Sequence, residues 1–414
     1  MSRILYTSPE LIHPAVGGPY LRVENSVKAL SKISELHVIS RMKLSHADMR
    51  ETENFYKKIT PFFGYLPQTP PKSLSRFLKK LSYKKAEISA DWEADYVVDY
   101  MIKNDINIIW CGYGNVSHSF MKRIKKKSPQ FRIVCDTDSV WSRFVLRGLP
   151  FAEDDNKRRQ IIAEYLRKEK EEIDWVDFCD VTTAVSEIDA DYYRSIAVNP
   201  GKVKTFSNVI DLEYYSQKQS PPEFFKTPSI YLCGSFWPGG SPMETAARWV
   251  VDEIFPTLKR EIPDIHFYIV GRDSDKVLED INDENITVTG RLDNVLPYLC
   301  NASVCIVPLK FESGTRFKIL EAAACGIPIV STTLGAEGIP VKNEENIMIA
   351  DDADAFARAI IKLIRFPDRA KNMAHALKQY VEENYNISKH VREGGEILKF
   401  LEEKQRIMLK KVLI

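Results

Sequence analysis

The sequence lacks the features that mark secreted, membrane-spanning and disulfide-rich proteins. Its seven cysteines include no Cys-x-x-Cys pair, and Cys135, Cys233 and Cys305 lie in apolar strand-like runs, so we expect reduced, buried and inert thiols. The apolar part of the first ten residues is too short for a signal peptide, and no apolar run approaches the length of a membrane span. We therefore expect a cytoplasmic protein.

An excess of positive charge is also missing. Lysine and arginine number 58 against 57 acidic residues, and the formal net charge is +1. Proteins that bind nucleic acid usually carry a strongly basic balance. No nucleic-acid partner is therefore expected.

The chain does contain short β-rich runs that alternate with longer amphipathic runs, a pattern typical of parallel-sheet α/β architecture. Its 414 residues are enough for two or three domains with real cores. Each half carries enough strand candidates for a doubly wound sheet of its own. The candidates are Ile4–Thr7, Leu36–Ser40, Ile106–Trp110, Phe131–Cys135 and Val181–Val185, then Ser229–Cys233, His266–Val270, Ile286–Thr289, Val304–Pro308 and Ile327–Ser331.

These patterns predict two domains, a linker and a closing helix. The stretch SQKQSPPEFFKTPS is polar and contains three prolines, as expected of a linker. Ser241, Pro242 and Glu244 occupy the N-cap, first-turn and capping-box positions of a predicted helix in the second domain. The predicted parts are an N-terminal domain (1–213), a linker (214–228), a C-terminal domain (229–386) and an amphipathic helix (387–414) that can pack back on the N-terminal domain.

The most informative stretch is FESGTRFKILEAAACGIPIVSTTLGAEGI, residues 311–339. It predicts a loop through Gly314 and a helix from Thr315 onward, capped by Ser313 or Thr315. A helix N-terminus carries unpaired N–H groups and a partial positive charge, and a glycine before it lets a phosphate approach the backbone closely. The stretch therefore predicts an anion site.

Charged residues on the same helix favour this interpretation. Arg316 and Lys318 would lie in its first turn, where they oppose the helix dipole unless an anionic ligand is present. Glu321 shares a face with Lys318 and could accept hydrogen bonds from ribose hydroxyls. The alternative is a surface helix with an ordinary Lys–Glu pair.

This segment resembles the retaining glycosyltransferases of family 4, which have the GT-B fold. In that family a helix reads roughly Glu-x-x-x-x-x-x-x-Glu and is followed by Ala-x-Ala-x-Gly-x-Pro-x-Val. Glu321 matches the second glutamate, and EAAACGIPIV matches the residues that follow it. A subset of the family carries Gly-Thr-Arg-x-Lys-x-Leu-Glu-Ala and a Gly-Ala-Glu-Gly loop, as residues 314–322 and 335–338 do here. The resemblance covers most of the chain and is more specific in the second half.

The resemblance implies two Rossmann-like domains that face each other across a cleft. It also implies transfer of a sugar from a nucleotide diphosphate sugar to a hydroxyl with retention of configuration, in surface polysaccharide or glycoconjugate synthesis. No metal or other cofactor is expected. Arg316, Lys318 and Asp136 are the candidate catalytic residues. The implied donor-binding residues are Gly234, Ser235, Arg272, Arg291, Ser313, Gly314, Thr315, Arg316, Lys318 and Glu321.

Two departures from the family pattern affect the interpretation. The family's first glutamate, which usually contacts the donor sugar, falls on Ser313, with Glu312 one residue away. The basic pair often found after the first strand of the donor domain is absent from GSFWPGGSPM, so neutralisation of the diphosphate would depend more on Arg316 and Lys318. Both departures favour the alternative of a non-catalytic GT-B partner subunit of a glycosyltransferase complex. An epimerase with the same fold has no support in the sequence.

The first half contains a glycine loop between a strand and a helix. Gly17 and Gly18 permit a tight turn, and the resemblance implies that this loop, with Arg22 and His118 nearby, lies at the cleft. The alternatives are an ordinary βα loop and a structural histidine. A nicotinamide site is disfavoured because no complete Gly-x-Gly-x-x-Gly motif is present.

Asp136 follows the fourth predicted strand, where many family members place a histidine near the reacting sugar. An aspartate there could hydrogen-bond a sugar hydroxyl or stabilise developing positive charge. Asp136 and Asp138 mimic the Asp-x-Asp metal motif of another glycosyltransferase fold, but GT-B enzymes are not expected to need that metal. Asp138 could equally cap the next helix.

Residues 72–85, KSLSRFLKKLSYKK, have apolar residues at helical spacing and flanking lysines and an arginine. Such a helix can lie on an anionic membrane surface, or it can be a core-facing helix with a solvated basic side. The family often uses glycan or lipid-linked acceptors. The expected partners are a nucleotide sugar donor, a glycan or lipid-linked acceptor and, if the helix is of the membrane-binding kind, the anionic inner face of a membrane.

Overall fold

The computed structural model describes residues 2–67 and 85–412, which form two compact units. Unit 1 comprises the chain up to Ser142, Ala163–Asn208 and the chain from Ile387 onward. Unit 2 comprises Arg143–Ile162 and Val209–Asn386. The predicted basic helix at 72–85 lies outside the described residues, apart from Lys85. No described helix combines the length and the apolar character needed to cross a membrane.

Among the described residues, unit 1 contains a parallel sheet of seven strands in the order β3-β2-β1-β4-β5-β6-β7. Strand order reverses between β1 and β4. A reversal of this kind opens a crevice at the carboxyl ends of the strands, where α/β proteins bind ligands. The strands are β1 (Ser2–Ser8), β2 (Ser34–Ser40), β3 (Phe63–Tyr65), β4 (Ile108–Gly112), β5 (Arg132–Asp136), β6 (Val181–Ala184) and β7 (Val203–Thr205).

The sheet of unit 2 is also parallel, with six described strands in the order β10-β9-β8-β11-β12-β13. Its order reverses between β8 and β11, so the corresponding crevice lies at the carboxyl ends of those two strands. The strands are β8 (Ser229–Cys233), β9 (His266–Val270), β10 (Ile286–Val288), β11 (Val304–Val307), β12 (Ile329–Ser331) and β13 (Met348–Ile349).

Helices connect the strands in both units. In chain order they are α1 (Gly18–Leu30), α2 (His46–Tyr56), α3 (Lys85–Lys103), α4 (His118–Lys127), α5 (Trp141–Arg147), α6 (Asp155–Phe178), α7 (Glu187–Ile196), α8 (Leu212–Tyr215), α9 (Pro242–Trp249), α10 (Phe255–Glu261), α11 (Ser274–Val277), α12 (Leu296–Leu299), α13 (Phe317–Ala324), α14 (Ala353–Arg365), α15 (Pro367–Asn384) and α16 (Ile387–Val412).

The closing helix α16 belongs to unit 1, where it packs against α1. The Glu393 carboxylate on α16 accepts hydrogen bonds from the Ser207 backbone N–H at 2.7 Å and from its hydroxyl at 2.9 Å. The Arg132 guanidinium donates to the Leu401 carbonyl at 2.7 Å. These contacts attach the last helix to the sheet of unit 1.

The strands of both sheets are largely buried on both faces, as parallel sheets require. In unit 1, Leu5 packs in the cluster on one face, while Ile4 and Tyr6 pack in the cluster on the other, because successive side chains of a strand point to opposite faces. Cys111, Cys135, Cys179 and Cys305 are buried as expected. Cys233, Cys300 and Cys325 are only half-buried, so the expectation of buried thiols is wrong for these three.

The predicted pair of parallel-sheet α/β domains is confirmed. Strands β8 and β9 begin and end where the sequence predicts. The strands β3, β7 and β13 were not predicted. Each lies at the edge of its sheet and contains only two or three residues, which is too short to show a periodic pattern.

Candidate functional site

The glycine loop after β11 adopts a conformation that depends on Gly314. This residue has φ +83°, which residues with a Cβ rarely adopt. The helix α13 begins at Phe317 rather than Thr315, and Arg316 occupies the N-cap with an extended backbone. The N-cap residue is thus Arg316, whose side chain makes no capping hydrogen bond, so the prediction that Ser313 or Thr315 is the N-cap is wrong. Both of these residues are buried in the loop.

Lys318, in the first turn of α13, is a half-buried cation without an acidic partner among the described residues. Its Nζ atom lies 2.9 Å from the Met243 Sδ atom. A thioether is only a weak hydrogen-bond acceptor, so the ammonium loses water without gaining a strong replacement. Burial accordingly lowers the pKa of Lys318, although the nearby Cys233 and Glu312 oppose this shift. Such a cation is suited to an anionic ligand.

Met243 lies at the start of α9, so its contact with Lys318 joins the helices that follow β8 and β11. These are the strands between which the order of the sheet reverses. Gly234, just after β8, lies against Met243, because a Cβ at Gly234 would lie 2.7 Å from the Met243 Cγ and Sδ atoms and would displace that side chain. The close approach of Gly234, Met243 and Lys318 places the cation at the crevice of unit 2.

Glu321 lies one turn after Lys318. Its Oε1 atom accepts a hydrogen bond from the Tyr215 hydroxyl at 2.7 Å, whereas its Oε2 atom has no protein donor among the described residues. Burial raises the pKa of the Glu321 carboxyl, and the hydrogen bond from Tyr215 and the nearby charge of Lys318 partly oppose this rise. The carboxylate is therefore held by one oxygen and can accept a ligand hydroxyl with the other.

Arg316 is directed differently from Lys318. It is buried, and its guanidinium donates to the backbone carbonyls of Gly314 and, at 3.3 Å, of Leu334. Arg316 thus links the loop after β11 to the loop after β12. The predicted roles of Arg316 in catalysis and donor binding stay predictions.

A second arginine also reaches these loops. Arg147 makes a two-pronged ion pair with Glu337 at 2.6 and 2.7 Å and donates to the Glu312 carbonyl at 2.7 Å. Burial alone would raise the pKa of Glu337, but Arg147, with Arg316 and Arg143 nearby, holds it below its usual value. Phe151 stacks on Phe311 with ring centroids 5.0 Å apart. Residues 143–162 therefore brace the loop before Lys318.

The other predicted donor-site residues lie along the same edge of the sheet. Ser235 follows β8, Arg272 follows β9 and Arg291 follows β10. Arg272 and Arg291 are exposed. In the part of the chain that the structure describes, no hydrogen bond or ion pair connects these three residues to Lys318 or Glu321. Their predicted roles in donor binding stay predictions.

In unit 1 the side chains of Asp136 and Arg22 lie in the core. The two side chains are 0% and 1% exposed and form an ion pair at 2.5 Å. Asp136 also accepts hydrogen bonds from Trp110 at 3.1 Å and Thr183 at 2.8 Å. Both carboxylate oxygens of Asp136 therefore accept hydrogen bonds inside the core, where this last residue of β5 is buried. A catalytic contact between Asp136 and a sugar, and a cleft role for Arg22, are not supported.

His118 is likewise engaged within unit 1. Its Nε2 atom lies 2.7 Å from the Asp174 carboxylate on α6, an arrangement that fits the structural alternative. Gly17 is the N-cap of α1 and has φ +101°, and Gly18 is the first helical residue, so the predicted glycine turn is present. Within residues 2–67 and 85–412, no group of three or more His, Cys, Asp and Glu side chains is placed to hold a metal ion.

Sequence reasoning missed four residues of the unit 2 site: Met243, Tyr215, Arg147 and Glu337. Met243 and Tyr215 contact Lys318 and Glu321 across sequence separations of 75 and 106 residues, so no local pattern reveals them. Glu337 stands in the Gly-Ala-Glu-Gly loop that the sequence did single out. The carboxylate of Glu337 in this glycine loop was the signal from which a cationic partner could have been predicted.

Comparison with known proteins finds matches over part of the chain. Residues 227–365 match the family model described as "Glycosyl transferases group 1". Over 220 residues the chain is 24% identical to a UDP-Gal:alpha-D-GlcNAc-diphosphoundecaprenol alpha-1,3-galactosyltransferase of Escherichia coli. This match covers 48% of this chain and 54% of the relative. Over 166 residues it is 25% identical to a trehalose synthase of Pyrococcus horikoshii, which covers 36% of this chain and 40% of the relative. The matches thus span about half or less of these relatives.

Solved structures resemble the chain over nearly its full length. The Anabaena protein HepE in complex with UDP-glucose has a TM-score of 0.67 at 10% identity, covering 97% of this chain and 100% of HepE. Sucrose-phosphate synthase from Thermosynechococcus elongatus has a TM-score of 0.66 at 16% identity, covering 97% and 100%. At these identities the likeness shows the fold alone, and that fold is the predicted GT-B type.

Proposed function

We propose that this protein is a retaining glycosyltransferase that transfers a sugar from a nucleotide diphosphate sugar to a hydroxyl acceptor. The observation that carries the proposal is the Lys318 ammonium, which lies at the strand reversal of unit 2 with a thioether as its described hydrogen-bond partner. The match to the glycosyltransferase family model spans this region. HepE, which shares the fold, was crystallised with UDP-glucose.

In this proposal the site residues divide the donor between them. Lys318 binds the diphosphate, and the free oxygen of Glu321 accepts a hydrogen bond from the ribose. As the glycosidic bond breaks, the departing diphosphate gains negative charge, which a cation held in place by Met243 stabilises without reorganisation. Arg316 and Arg147 position the loop that carries Gly314. No step is assigned to Asp136, because its oxygens are occupied in the core.

The test is release of nucleoside diphosphate from a panel of nucleotide sugars, with and without glycan or lipid-linked acceptors. We expect slow hydrolysis of one donor without acceptor, faster release with the right acceptor, and an unchanged anomeric configuration in the product by NMR. We expect the rate to persist in chelator. Loss of activity in chelator and its return with Mg²⁺ or Mn²⁺ would contradict metal independence, and an inverted product would contradict retention.

Ser313 favours a second candidate function. It stands where a glutamate usually contacts the donor sugar in the family that the sequence resembles, and it is buried in the loop. A non-catalytic partner subunit would bind a nucleoside diphosphate but hydrolyse no donor. Tight binding of diphosphate, with no hydrolysis of any nucleotide sugar even when the acceptor is present, would favour this candidate.

A further inference from the structure

Two thiols of unit 2 lie close together at the C-terminal ends of α12 and α13. Cys325 is the C-cap of α13, and Cys300 is the C-cap of α12. Their sulfur atoms are 3.7 Å apart, and both residues are half-buried. A disulfide needs a sulfur separation of about 2.05 Å, so a movement of less than two ångströms would connect them.

The chemistry of this pair differs from that of the cysteines in unit 1. Cys135 and Cys179 are fully buried, and burial raises the pKa of Cys135 well above its usual value. By contrast, the contact with Cys325, helped by the Gln219 backbone and Lys378, lowers the pKa of the Cys300 thiol to about 7 although burial opposes this shift, and the same contact raises the pKa of Cys325. A thiol that ionises near neutral pH and is partly exposed attacks disulfides readily.

The pair is also connected to the donor site. When both thiols are protonated, Cys300 donates to the Cys325 sulfur and the Cys325 thiol donates to the Tyr215 carbonyl at 3.3 Å, while the Tyr215 hydroxyl donates to Glu321 at 2.7 Å. A disulfide has no S–H to donate, so oxidation removes the support of the Tyr215 carbonyl and pulls on the end of α13. The next residue affected is Glu321, whose carboxylate is assigned above to the ribose.

We propose that Cys300 and Cys325 form a reversible disulfide site that reacts with low-molecular-weight disulfides and thereby weakens nucleotide binding. The Cys300 thiolate attacks one sulfur of oxidised glutathione and releases one glutathione thiolate, which leaves a mixed disulfide. The Cys325 thiol then gives up its proton and attacks the Cys300 sulfur, which releases the second glutathione. Two protein thiols are oxidised to one disulfide, and one small disulfide is reduced to two thiols.

The first test maps this bond in the full-length folded protein after treatment with oxidised glutathione. Peptide mass spectrometry should find Cys300 linked to Cys325, and dithiothreitol should reverse the link. The variants Cys300→Ser and Cys325→Ser should each lose it, whereas Cys233→Ser, which removes the other half-buried thiol of unit 2, should keep it. A thermal melt of each variant checks its fold. Mixed disulfides without a link, or a link that forms only in denaturant, would overturn the proposal.

The second test measures UDP binding to the reduced and oxidised protein by calorimetry. The effect on binding rests on the proposed function, whereas the bond itself does not. Because one hydrogen bond is lost, we expect oxidation to weaken binding roughly two- to tenfold, and Cys300→Ser should abolish this response. A linked protein with unchanged affinity would overturn the coupling. Failure of the reduced protein to bind any nucleoside diphosphate would instead count against the proposed function.

Discussion

Both units place a cation near the carboxyl edge of a parallel sheet, but the two cations have opposite environments. In unit 1, Arg22 is paired with Asp136 and also donates to Asn208 and to the Phe206 carbonyl. In unit 2, Lys318 has the Met243 thioether as its hydrogen-bond partner. A buried cation that is already paired with a carboxylate is a structural element, whereas one that lacks an anion is suited to receive one. The comparison therefore assigns stability to the first site and ligand binding to the second.

The largest expected effect is in unit 1. Asp136→Asn should lower the free energy of unfolding by about 3–5 kcal/mol, because it leaves the Arg22 guanidinium buried without its counter-charge. Urea denaturation measures this change, and Glu345→Gln, at an exposed side chain, is the control. If Asp136→Asn is as stable as the parent and loses only turnover, the catalytic role predicted from the sequence was right and the structural role is wrong.

The next effect concerns the ribose contact in unit 2. Glu321→Gln should weaken binding of both uridine and UDP by roughly 1.5–3 kcal/mol, because hydrogen bonds to a charged acceptor are worth about that much and both ligands contain the ribose. Tyr215→Phe, which removes only the donor to the other oxygen of Glu321, should weaken both less. Calorimetry with the two ligands checks this order. Equal binding by Glu321→Gln and the parent would exclude the ribose assignment.

A smaller effect should appear in the pH dependence of uridine binding. Burial raises the pKa of Glu321, so this carboxylate takes up a proton at a higher pH than an ordinary glutamate does. The affinity for uridine should therefore be highest above the raised pKa and should decline as the pH falls through it. Titrations at a series of pH values should show this decline in the parent and a flat profile in Glu321→Gln. A parallel decline in both would assign the dependence to another group.

Much of the fold could be predicted from the sequence because its strands are apolar runs separated by amphipathic helices. The edge strands β3, β7 and β13 could not, because two or three residues carry no periodicity. The capping box at Ser241 predicted α9 correctly, and Ser241 accepts a hydrogen bond from the Glu244 backbone N–H at 3.1 Å. The assumption that Ser313 or Thr315 caps α13 failed, since the Gly314 turn delays the helix until Phe317.

The candidate site was predictable only where its residues share one segment. Lys318 and Glu321 lie one turn apart on one helix, so their common face follows from helix geometry. The partners that decide their chemistry, Met243 and Tyr215, come from other segments, and only the folded chain brings them near. For the same reason the sequence could not show that Asp136 is already saturated by Arg22, Trp110 and Thr183.

The central claim is that the Lys318 ammonium binds the diphosphate of the donor. Calorimetry of Lys318→Ala with UDP and with uridine tests it most directly. Lys310→Ala is the matched control, because Lys310 is also partly buried in unit 2 but donates to the Asp351 carbonyl and lies 3.3 Å from the centroid of a Trp249 ring.

The account predicts that Lys318→Ala binds UDP roughly tenfold to a hundredfold more weakly than the parent, binds uridine equally well, and unfolds at no lower urea concentration. Lys310→Ala should bind both ligands as the parent does. If Lys318→Ala binds UDP like the parent protein, the assignment of the phosphate site to Lys318 is wrong.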